Sequence, residues 1–365
     1  MADATQMNLS FWKGRSVFIT GHTGFKGAWL CLWLRHLGAR VTGYALEPPT
    51  DPSLFDLATA GNEMSDLRGD VRDAEALESS IQNAAPEIIL HLAAQSLVRL
   101  SYENPVETFA TNIMGSVNLL EAVRRAPSVL AALVVTSDKC YENHGWARGY
   151  REGDAMGGFD PYSSSKGCAE LVTAAYRRSF FEGRAGRAAG IATARAGNVI
   201  GGGDWAKDRL LPDLLKSFAE GRPAVIRNPL ATRPWQHVLE PLRGYLMLAE
   251  RLWNGDDTIP GGWNFGPHGT DVKPVSWIAD AAAKHWGGNA SWERDSECHP
   301  HEAHSLQLDI AKAESQLGWH PVLTVEEAVA WTVRWYRGLL DGQSARALAL
   351  RDICEYGDLL ATRNG

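Results

Sequence analysis

The chain has 365 residues, of which 45% are hydrophobic and 22% are charged, and its formal net charge is −7. This length suits one large domain or two closely associated ones, and the composition is that of an ordinary globular protein. The negative charge and the lack of a long Lys/Arg run argue against a nucleic-acid partner, which would require concentrated positive charge.

The cysteine pattern and the N-terminus predict a cellular location. Five cysteines are widely spaced and form no CxxC pair, which predicts reduced thiols rather than a disulfide framework or a zinc site. Residues 1–10 lack the apolar core of a signal peptide, and no apolar stretch reaches the ~20 residues of a membrane span. We therefore expect a cytoplasmic protein without export or a membrane segment.

In chain order, strand-like and helix-like patterns alternate over the first two hundred residues. Apolar runs predict strands at 16–20, 40–46, 64–69, 86–94, 131–136 and 191–196. Helices are predicted from the first glycine loop to about Leu37, at 104–125 and at 161–181. Apolar strands joined by helices predict an α/β fold, a Rossmann-type doubly wound parallel sheet.

The pattern changes after Asn198, where glycine and proline separate shorter elements and tryptophan becomes frequent. We expect a Rossmann domain at 11–198, with a return segment near 235–266, and a smaller C-terminal substrate-binding lobe at 199–365. Loops in such a lobe are the usual carriers of substrate-binding residues.

A glycine loop, TGHTGFKG at 20–27, follows the first predicted strand and opens the first predicted helix. Glycine permits a tight turn and close approach of a pyrophosphate, and the helix N-terminus offers free amides to the phosphates. In this context the loop predicts a dinucleotide site rather than a mere βα turn. Its expected contacts are Gly21, His22, Thr23, Gly24, Phe25 and Gly27.

The end of the second strand bears on the choice between NAD and NADP. The acidic residue expected there is absent, because Ala45 or Leu46 occupies the position and Glu47 follows one step later. No arginine stands just past that strand to hold a 2′-phosphate, so NAD is the better prediction.

Two further strand ends are expected to border the coenzyme. Asp70 and Val71 follow the third strand and are predicted to reach the adenine, with a helix cap as an equally weighted alternative. His91 ends the fourth strand and is predicted to be structural rather than catalytic. Three residues after it are expected at the coenzyme ribose, namely Leu92, Ala93 and Ala94.

Tyr162 and Lys166 form a YxxxK pair on one face of a predicted helix. A lysine ammonium near a tyrosine lowers the tyrosine pKa, which would let the phenolate accept a hydroxyl proton while hydride leaves the same carbon. Alone, the pair fits a solvated helix face better than a catalytic site. Ser137, at the carboxyl end of the preceding strand, places it at the ligand-binding edge of the sheet.

These motifs resemble the extended short-chain dehydrogenase/reductases, and within them the nucleotide-sugar 4,6-dehydratases, most closely the branch that acts on CDP-glucose. The resemblance runs from about Phe11 to Tyr336. Matching segments are TGHTGFKG (20–27), HLAAQSLV (91–98), TSDKCY (136–141), PYSSSK (161–166), ARAGNVIGGGDW (194–205), RPWQHV (233–238), WNFGP (263–267) and LGWHP (317–321).

The resemblance implies an internal redox cycle on CDP-glucose. Tyr162 would remove the 4-hydroxyl proton as C4 is oxidised by NAD, water would then leave from C5 and C6, and the hydride would return to C6. The product would be a 4-keto-6-deoxy sugar. The resemblance also implies a homodimer, with the helices at 104–125 and 161–181 as its interface.

Asp138 and Lys139 depart from the pattern of other nucleotide-sugar dehydratases, which usually carry an acidic pair whose glutamate is the expected C5 base. The CDP-glucose branch is similar to this chain in having lysine there. We expect Asp138 to protonate the departing C6 hydroxyl. Lys139 is either the C5 base, which desolvation permits, or the group that stabilises the enolate. A surface ion pair is the non-catalytic alternative.

Substrate binding is expected from five residues, Gln95, Asn198, Arg209, Arg233 and Trp235. The arginine forks match diphosphate oxygens. Their structural alternatives are a helix cap for Arg209 and a core position for Trp235. Another cluster, formed by His299, His301 and His304, is interpreted as loop residues, and no metal is expected.

Two other functions remain open from the sequence. One is a nucleotide-sugar epimerase or simple reductase on the same fold. The other is a non-catalytic NAD-sensing protein, since a fold does not fix a function. Ser137, Tyr162 and Lys166 argue against the sensor, and the Asp138–Lys139 pair favours elimination over epimerisation.

Overall fold

The computed structural model describes residues 8–183, 188–295 and 306–363. Its strands are β1 Ser16–Thr20, β2 Arg40–Ala45, β3 Ser65–Arg68, β4 Ile88–His91, β5 Ala131–Val135, β6 Gly190–Ala196, β7 Val199–Ile200, β8 Ala224–Ile226, β9 Thr232–Arg233, β10 Gln236–His237, β11 Gly261–Phe265, β12 Lys273–Pro274 and β13 Trp292–Arg294.

The α-helices are α1 Phe25–His36, α2 Leu54–Leu57, α3 Ala74–Ala84, α4 Val98–Glu103, α5 Pro105–Phe109, α6 Gly115–Arg125, α7 Pro161–Tyr176, α8 Leu210–Ala219, α9 Leu239–Trp253, α10 Val275–Trp286, α11 Val325–Leu340 and α12 Ala345–Arg363. Short 3₁₀ segments occur at Leu9–Trp12, Asp138–Cys140 and Gly269–Asp271, and π-helical turns at Ala110–Met114, Arg177–Phe181 and Ala313–Leu317. Across the described ranges, no helix has the length and apolar character needed to cross a membrane.

Seven of the described strands form one parallel sheet in the order β11-β6-β5-β4-β1-β2-β3. The order runs outward in both directions from β1 and β4, which confirms the predicted doubly wound sheet. A crevice opens at the carboxyl ends of the strands where the direction reverses, and ligands bind there in such folds. β11 lies within the segment 235–266 and adds the last strand beside β6.

Alternate side chains of the sheet enter cores on its two faces, as the pleat requires. Val17, Ile19 and Leu90 pack on the face covered by α1 and α9. Phe18 and Ile89 point to the other face, which α3 and α6 cover. β3 is the exception, because all its side chains are exposed at the sheet edge.

The smaller lobe contains α8, α10 and α11 and three two-stranded sheets, β8 with β13, β9 with β12, and β7 with β10. The C-terminal helix α12 returns to pack against α1 on the Rossmann side. Arg243 and Glu240 of α9 both hydrogen bond the buried hydroxyl of Tyr356 on α12, so the C-terminus is tied to the core.

Three predicted elements differ from the structure, and one of them, the helix expected at 161–181, ends in a π-helical turn at Arg177–Phe181. The helix expected at 104–125 contains a π-helical turn at Ala110–Met114, and the strand expected at 86–94 ends at His91. Asn112 of the π turn hydrogen bonds the backbone of Gln95, in the segment that follows β4.

Candidate active site

A cleft of about 1660 Å³ lies at the carboxyl ends of the parallel strands, between the sheet and the smaller lobe. Its volume exceeds the roughly 300–1,000 Å³ of a site for one small ligand, so it has room for a dinucleotide and a second ligand together. The glycine loop, the strand ends after β3, β4 and β5, the first turns of α7, and the loop before α8 all line it.

The glycine loop is shaped by close backbone contacts. Gly21 has a φ of +74°, and a Cβ there would lie 2.6 Å from the amide nitrogen of Ala93. A Cβ on Gly27 would lie 2.2 Å from the carbonyl oxygen of Gly21. α1 begins after Gly24, and no side chain caps its first amides. Those amides face the cleft, so the loop fits the pyrophosphate of a dinucleotide.

Two side chains of the loop point in opposite directions. Most of the predicted loop contacts line the cleft, but the His22 side chain is buried beneath it, where Nε2 lies 2.7 Å from Oδ1 of Asp66 on β3. Lys26 does enter the cleft. Burial lowers the pKa of Lys26 to about 7, the charge of Arg209 acts in the same direction, and Asp138 opposes both. The glycine pattern does not single out Lys26, so only the structure shows that this side chain lines the cleft.

The predicted adenine side of the cleft is lined by Asp70 and Val71. The helix-cap alternative for Asp70 is excluded, because Asp73 caps α3 by accepting a hydrogen bond from the amide of Ala76. The side chain of Asp70 instead pairs with Arg72, which lowers the pKa of the Asp70 carboxyl.

The three residues after β4, Leu92, Ala93 and Ala94, line the cleft as predicted. His91 is buried, and its Nδ1 lies 2.7 Å from the hydroxyl of Thr20 on β1. Burial lowers the pKa of His91 to about 3, so its ring is neutral, in agreement with its structural interpretation.

Tyr162, Lys166 and Ser137 meet at the centre of the cleft. α7 starts at Pro161, and Asp160 caps it by accepting a hydrogen bond from the amide of Ser163, which places Tyr162 in the first turn. Tyr162 and Lys166 are both buried and line the cleft. The ammonium of Lys166 donates a hydrogen bond to the carbonyl oxygen of Val135, 3.3 Å away at the end of β5.

The acidity of Tyr162 differs from the prediction. Burial raises the pKa of Tyr162 to about 12, while the side chain of Ser137 acts to lower it. The prediction of a net lowered Tyr162 pKa is therefore wrong, because desolvation outweighs the groups that lower this pKa. Burial also lowers the pKa of Lys166 to about 8, against the opposing charge of Glu170.

Asp138 is fixed at the start of the 3₁₀ turn after β5. Its carboxylate accepts hydrogen bonds from the hydroxyl of Ser137 at 2.9 Å and from Nδ2 of Asn198 at 3.3 Å. A Cβ on Gly197 would lie 1.8 Å from Oδ2 of Asp138, so glycine is required where the carboxylate packs. Asn198 has a φ of +46°, a strained conformation of the kind that concentrates at functional sites. Lys139 follows on the same turn and lines the cleft.

The predicted substrate residues all line the cleft but differ in their partners. Arg209 sits at the N-cap position of α8 without capping it, forms a 2.8 Å ion pair with Asp204 and reaches Ser96. Arg233 is buried and donates to the carbonyl of Thr232, and Trp235 belongs to the hydrophobic core while forming part of the cleft wall. The side-chain amide of Gln95 is bonded to Leu97 and Thr108.

Asn112 is a functional residue that sequence reasoning missed. Its side chain accepts a hydrogen bond from the backbone amide of Gln95 and donates one to the carbonyl oxygen of the same residue. It also donates a 2.8 Å hydrogen bond to the hydroxyl of Ser165 on α7, so it fixes the segment after β4 relative to the Tyr162 helix. π-helical turns concentrate at functional sites, but the sequence of this one resembles any amphipathic helix.

The described ranges contain no group of three His, Cys, Asp or Glu side chains arranged to hold a metal ion. His299, His301 and His304 lie outside the described residues.

A doubly wound sheet with a glycine loop after β1, a serine after β5 and a YxxxK helix at one cleft defines the class of the extended short-chain dehydrogenase/reductases. Comparison with known sequences then identifies the family within this class. The sequence model of the family described as GDP-mannose 4,6 dehydratase matches residues 18–332, and the chain belongs to this family of nucleotide-sugar dehydratases.

Individual relatives agree with this assignment. The chain is 52% identical to the CDP-glucose 4,6-dehydratase of Salmonella typhimurium strain LT2, over 96% of this chain and 98% of the relative. Its fold is similar to that of the UDP-glucose 4-epimerase of Thermotoga maritima, with a TM-score of 0.77 and 20% identity over 89% of this chain and 99% of the other.

The fold is also similar to that of DesIV, a dTDP-glucose 4,6-dehydratase of Streptomyces venezuelae whose structure contains NAD. The TM-score is 0.73, with 22% identity over 88% of this chain and 96% of that one.

Proposed function

We propose that this protein is an NAD-dependent CDP-glucose 4,6-dehydratase, a hydro-lyase that converts CDP-glucose into CDP-4-keto-6-deoxyglucose. The observation that carries the proposal is the Asp138–Lys139 turn, which lies in the same cleft as Tyr162, Ser137 and Lys166. An oxidoreductase that stops at C4 has no need of this pair. The 52% identity to a CDP-glucose 4,6-dehydratase supports the choice of substrate.

The first step belongs to Tyr162, which lines the cleft together with Ser137. When bound, NAD supplies a hydride acceptor for C4 and later the hydride for C6, so it is not consumed. Tyr162 takes the 4-hydroxyl proton and Ser137 orients that oxygen. Lys166, buried one helical turn beyond Tyr162, would hold the coenzyme ribose and stabilise the Tyr162 phenolate, which is the form that accepts the proton.

The second step is elimination across C5 and C6. Oxidation at C4 acidifies the C5 proton, which the free amine of Lys139 removes, while Asp138 in its protonated form gives its proton to the C6 hydroxyl, which leaves as water. Asp138 is buried and held by Ser137 and Asn198, so its orientation is set before the sugar binds. Arg209 and Arg233 bind the diphosphate, and Gln95, Asn198 and Trp235 contribute to the sugar and nucleotide contacts.

The assay for this function uses CDP-glucose with NAD well below the substrate concentration. We expect a 4-keto-6-deoxy sugar, detected by NMR, in an amount that exceeds the added NAD, without net NADH. The matched substrates are dTDP-glucose and UDP-glucose. Turnover of one of these with none of CDP-glucose would refute the substrate, a C4 epimer would indicate an epimerase, and stoichiometric NADH would indicate a simple dehydrogenase.

We also propose a homodimer that forms through the helices at 105–125 and α7. Val106 and Leu171 on these packed helices are 81% and 60% exposed, an apolar surface that a second copy would cover. Sedimentation should give twice the chain mass, and Val106→Glu with Leu171→Glu should give the monomer.

The described cysteines are free thiols, which fits the cytoplasmic location that we propose.

A further inference from the structure

Glu170 is a buried carboxylate that the proposed chemistry leaves without a role. It lies four residues after Lys166 and eight after Tyr162 on α7, so the three side chains share one face of the helix. Each is less than a tenth exposed. A charge removed from water at this position is costly unless it is compensated, so its presence beneath the site requires an explanation.

Both oxygens of Glu170 are fully hydrogen bonded. Arg195 on β6 binds them as a fork, with Nε 2.9 Å from Oε1 and Nη2 2.8 Å from Oε2. The hydroxyls of Thr136 and Thr193 donate to the two oxygens at 2.5 and 2.6 Å. Thr136 directly precedes Ser137, so the carboxylate is anchored to the strand end that carries the site.

Arg195 is itself held from the far side. Its Nη1 donates to the hydroxyl of Tyr141, 2.6 Å away, and that hydroxyl donates to Oδ1 of Asn264 on β11. Arg195 also contacts the carbonyl of Glu152. The Glu170 carboxylate is therefore held by Thr136 just after β5 and by Arg195 on β6, and Arg195 is linked through Tyr141 to Asn264 on the edge strand β11.

Several titratable groups face Glu170 and Lys166 from the packed elements, namely Cys140 and Asp138 on the 3₁₀ turn, Lys26 on the glycine loop, His91 at the end of β4, Arg195 on β6, Lys312 before the π turn at 313–317, and Tyr162. Burial keeps His91 and Cys140 neutral by lowering the pKa of the first and raising that of the second. Lys26 and Lys166 repel each other. Glu170 is thus the carboxylate whose charge acts directly on Lys166.

We propose that Glu170 is a positioning residue that keeps the buried Lys166 side chain in its ammonium form and fixes the strand end at Ser137 through Thr136. Its role for the reaction rests on the proposed function, whereas its effect on Lys166 does not. With burial already placing the pKa of Lys166 at about 8, removal of the Glu170 charge moves that pKa toward or below neutrality. A neutral Lys166 neither stabilises the Tyr162 phenolate nor binds as a cation.

The test measures the ionisation of Lys166 without substrate or coenzyme. The full-length protein is labelled with trace acetic anhydride between pH 5 and 10, and acetylation of the Lys166 peptide is quantified by mass spectrometry. Only the free amine reacts, so the midpoint reports its ionisation. In Glu170→Gln we expect the midpoint to fall by about one pH unit or more. An unchanged midpoint would overturn the proposal.

Two variants separate charge from structure. Thr193→Val removes a hydrogen bond to Glu170 but keeps its charge, so the midpoint should stay at the wild-type value. Glu170→Gln combined with Arg195→Met removes both members of the buried ion pair, a change that folded proteins tolerate well, and serves if the single variant does not fold. In the double variant the midpoint should lie above that of Glu170→Gln, because the cation of Arg195 is removed as well, but still below the wild-type value. A wild-type midpoint would contradict a direct effect of the Glu170 charge on Lys166.

Turnover then connects the charge to the reaction. With CDP-glucose, the alkaline limb of the kcat profile should move to lower pH in Glu170→Gln and return toward the wild type in Glu170→Asp. A lowered labelling midpoint with an unmoved alkaline limb would overturn the link to catalysis. Absence of wild-type turnover of CDP-glucose would refute the proposed function while leaving the labelling result intact.

Discussion

At the scale of single residues, the chemistry depends on how a few polar groups are held. Asp138 is oriented by Ser137 and Asn198 and packs where only a glycine, Gly197, leaves room. Lys139 is the next residue along the same 3₁₀ turn. The elimination half of the proposed reaction therefore belongs to adjacent residues with different roles, which single substitutions can separate.

Lys139→Met should stop exchange of the C5 hydrogen while leaving C4 oxidation in place, because methionine keeps the length of the side chain but cannot accept a proton. The measurement is solvent deuterium at C5 after incubation with CDP-glucose in D₂O, together with absorbance of the reduced coenzyme. Tyr162→Phe is the matched control, since it should abolish both signals. Exchange at the wild-type rate in Lys139→Met would exclude lysine as the base.

The glycine loop offers a matched pair for a test of fold stability. A Cβ at Gly27 would meet the Gly21 carbonyl at 2.2 Å, whereas a Cβ at Gly24 has its nearest neighbour at 3.5 Å, an ordinary contact. Gly27→Ala should therefore destabilise the protein by about 1–3 kcal/mol, the usual cost of overpacking, and Gly24→Ala should change it little. Urea unfolding without coenzyme measures both, and equal stability of the two variants would contradict the loop geometry.

At the scale of elements, the site is assembled by the junctions between strands and helices. α7 presents Tyr162, Lys166 and Glu170 on one face, and the π turn at 110–114 aims Asn112 at both Gln95 and Ser165. Local helix periodicity explains the first arrangement. The second depends on contacts between segments far apart in the chain.

Asn112→Leu should lower the free energy of unfolding by at least about 1–3 kcal/mol, because it leaves the buried amide and carbonyl of Gln95 without partners. Ser116→Ala is the control, since Ser116 lies one turn further on and bonds only the carbonyl of Asn112 within its own helix. Chemical denaturation compares the two. If Asn112→Leu were as stable as Ser116→Ala, the hydrogen bonds between Asn112 and Gln95 would not contribute to the stability of the fold.

The sequence predicted most strands of the main sheet within one or two residues, because each buried strand is a continuous apolar run. It predicted the bounds of β4 and the π turn less well, since the apolar run continues past His91 and a bulged helix lacks a distinct periodicity. Of the predicted site residues, those on glycine or YxxxK motifs all reach the cleft except the His22 side chain, which pairs with Asp66 across the sheet edge. The places of Lys26, Asn112 and Gly197 in the site depend on tertiary contacts, so the sequence alone does not predict them. The division at residues 198 and 199 stays a prediction.

At the scale of the whole molecule, buried neutral histidines predict how stability depends on pH. Burial lowers the pKa values of His91 and His237 to about 3, well below the ordinary value of 6.5. The unfolded chain takes up protons below pH 6.5 and the folded chain does not. Stability is therefore complete above pH 6.5 and is lost as the pH falls toward 3, by about 1.4 kcal/mol per unit for each histidine.

His91→Asn should remove one of these two contributions. Between pH 6.5 and 5, the free energy of unfolding of the variant should fall by about 1.5 kcal/mol less than that of the wild type. Urea titrations at the two pH values provide the comparison. Equal losses of the free energy of unfolding in the variant and the wild type would mean that His91 does not resist protonation in the folded state.

One cleft between the sheet and the smaller lobe is large enough for two ligands and contains both halves of the proposed chemistry. A coenzyme that is reduced and reoxidised in one turnover must stay beside the sugar throughout, and a shared cleft permits this. Oxidation at C4 and reduction at C6 are then a single intramolecular transfer of hydrogen.

The fate of the C4 hydrogen tests this account most directly. CDP-[4-²H]glucose is incubated with NAD far below the substrate concentration, and the product is examined by ²H NMR. We expect deuterium at C6 of a CDP-4-keto-6-deoxy sugar, with none released to solvent and no accumulated NADH. Deuterium retained at C4, or found in a pool of reduced coenzyme that grows with product, would contradict the internal redox cycle.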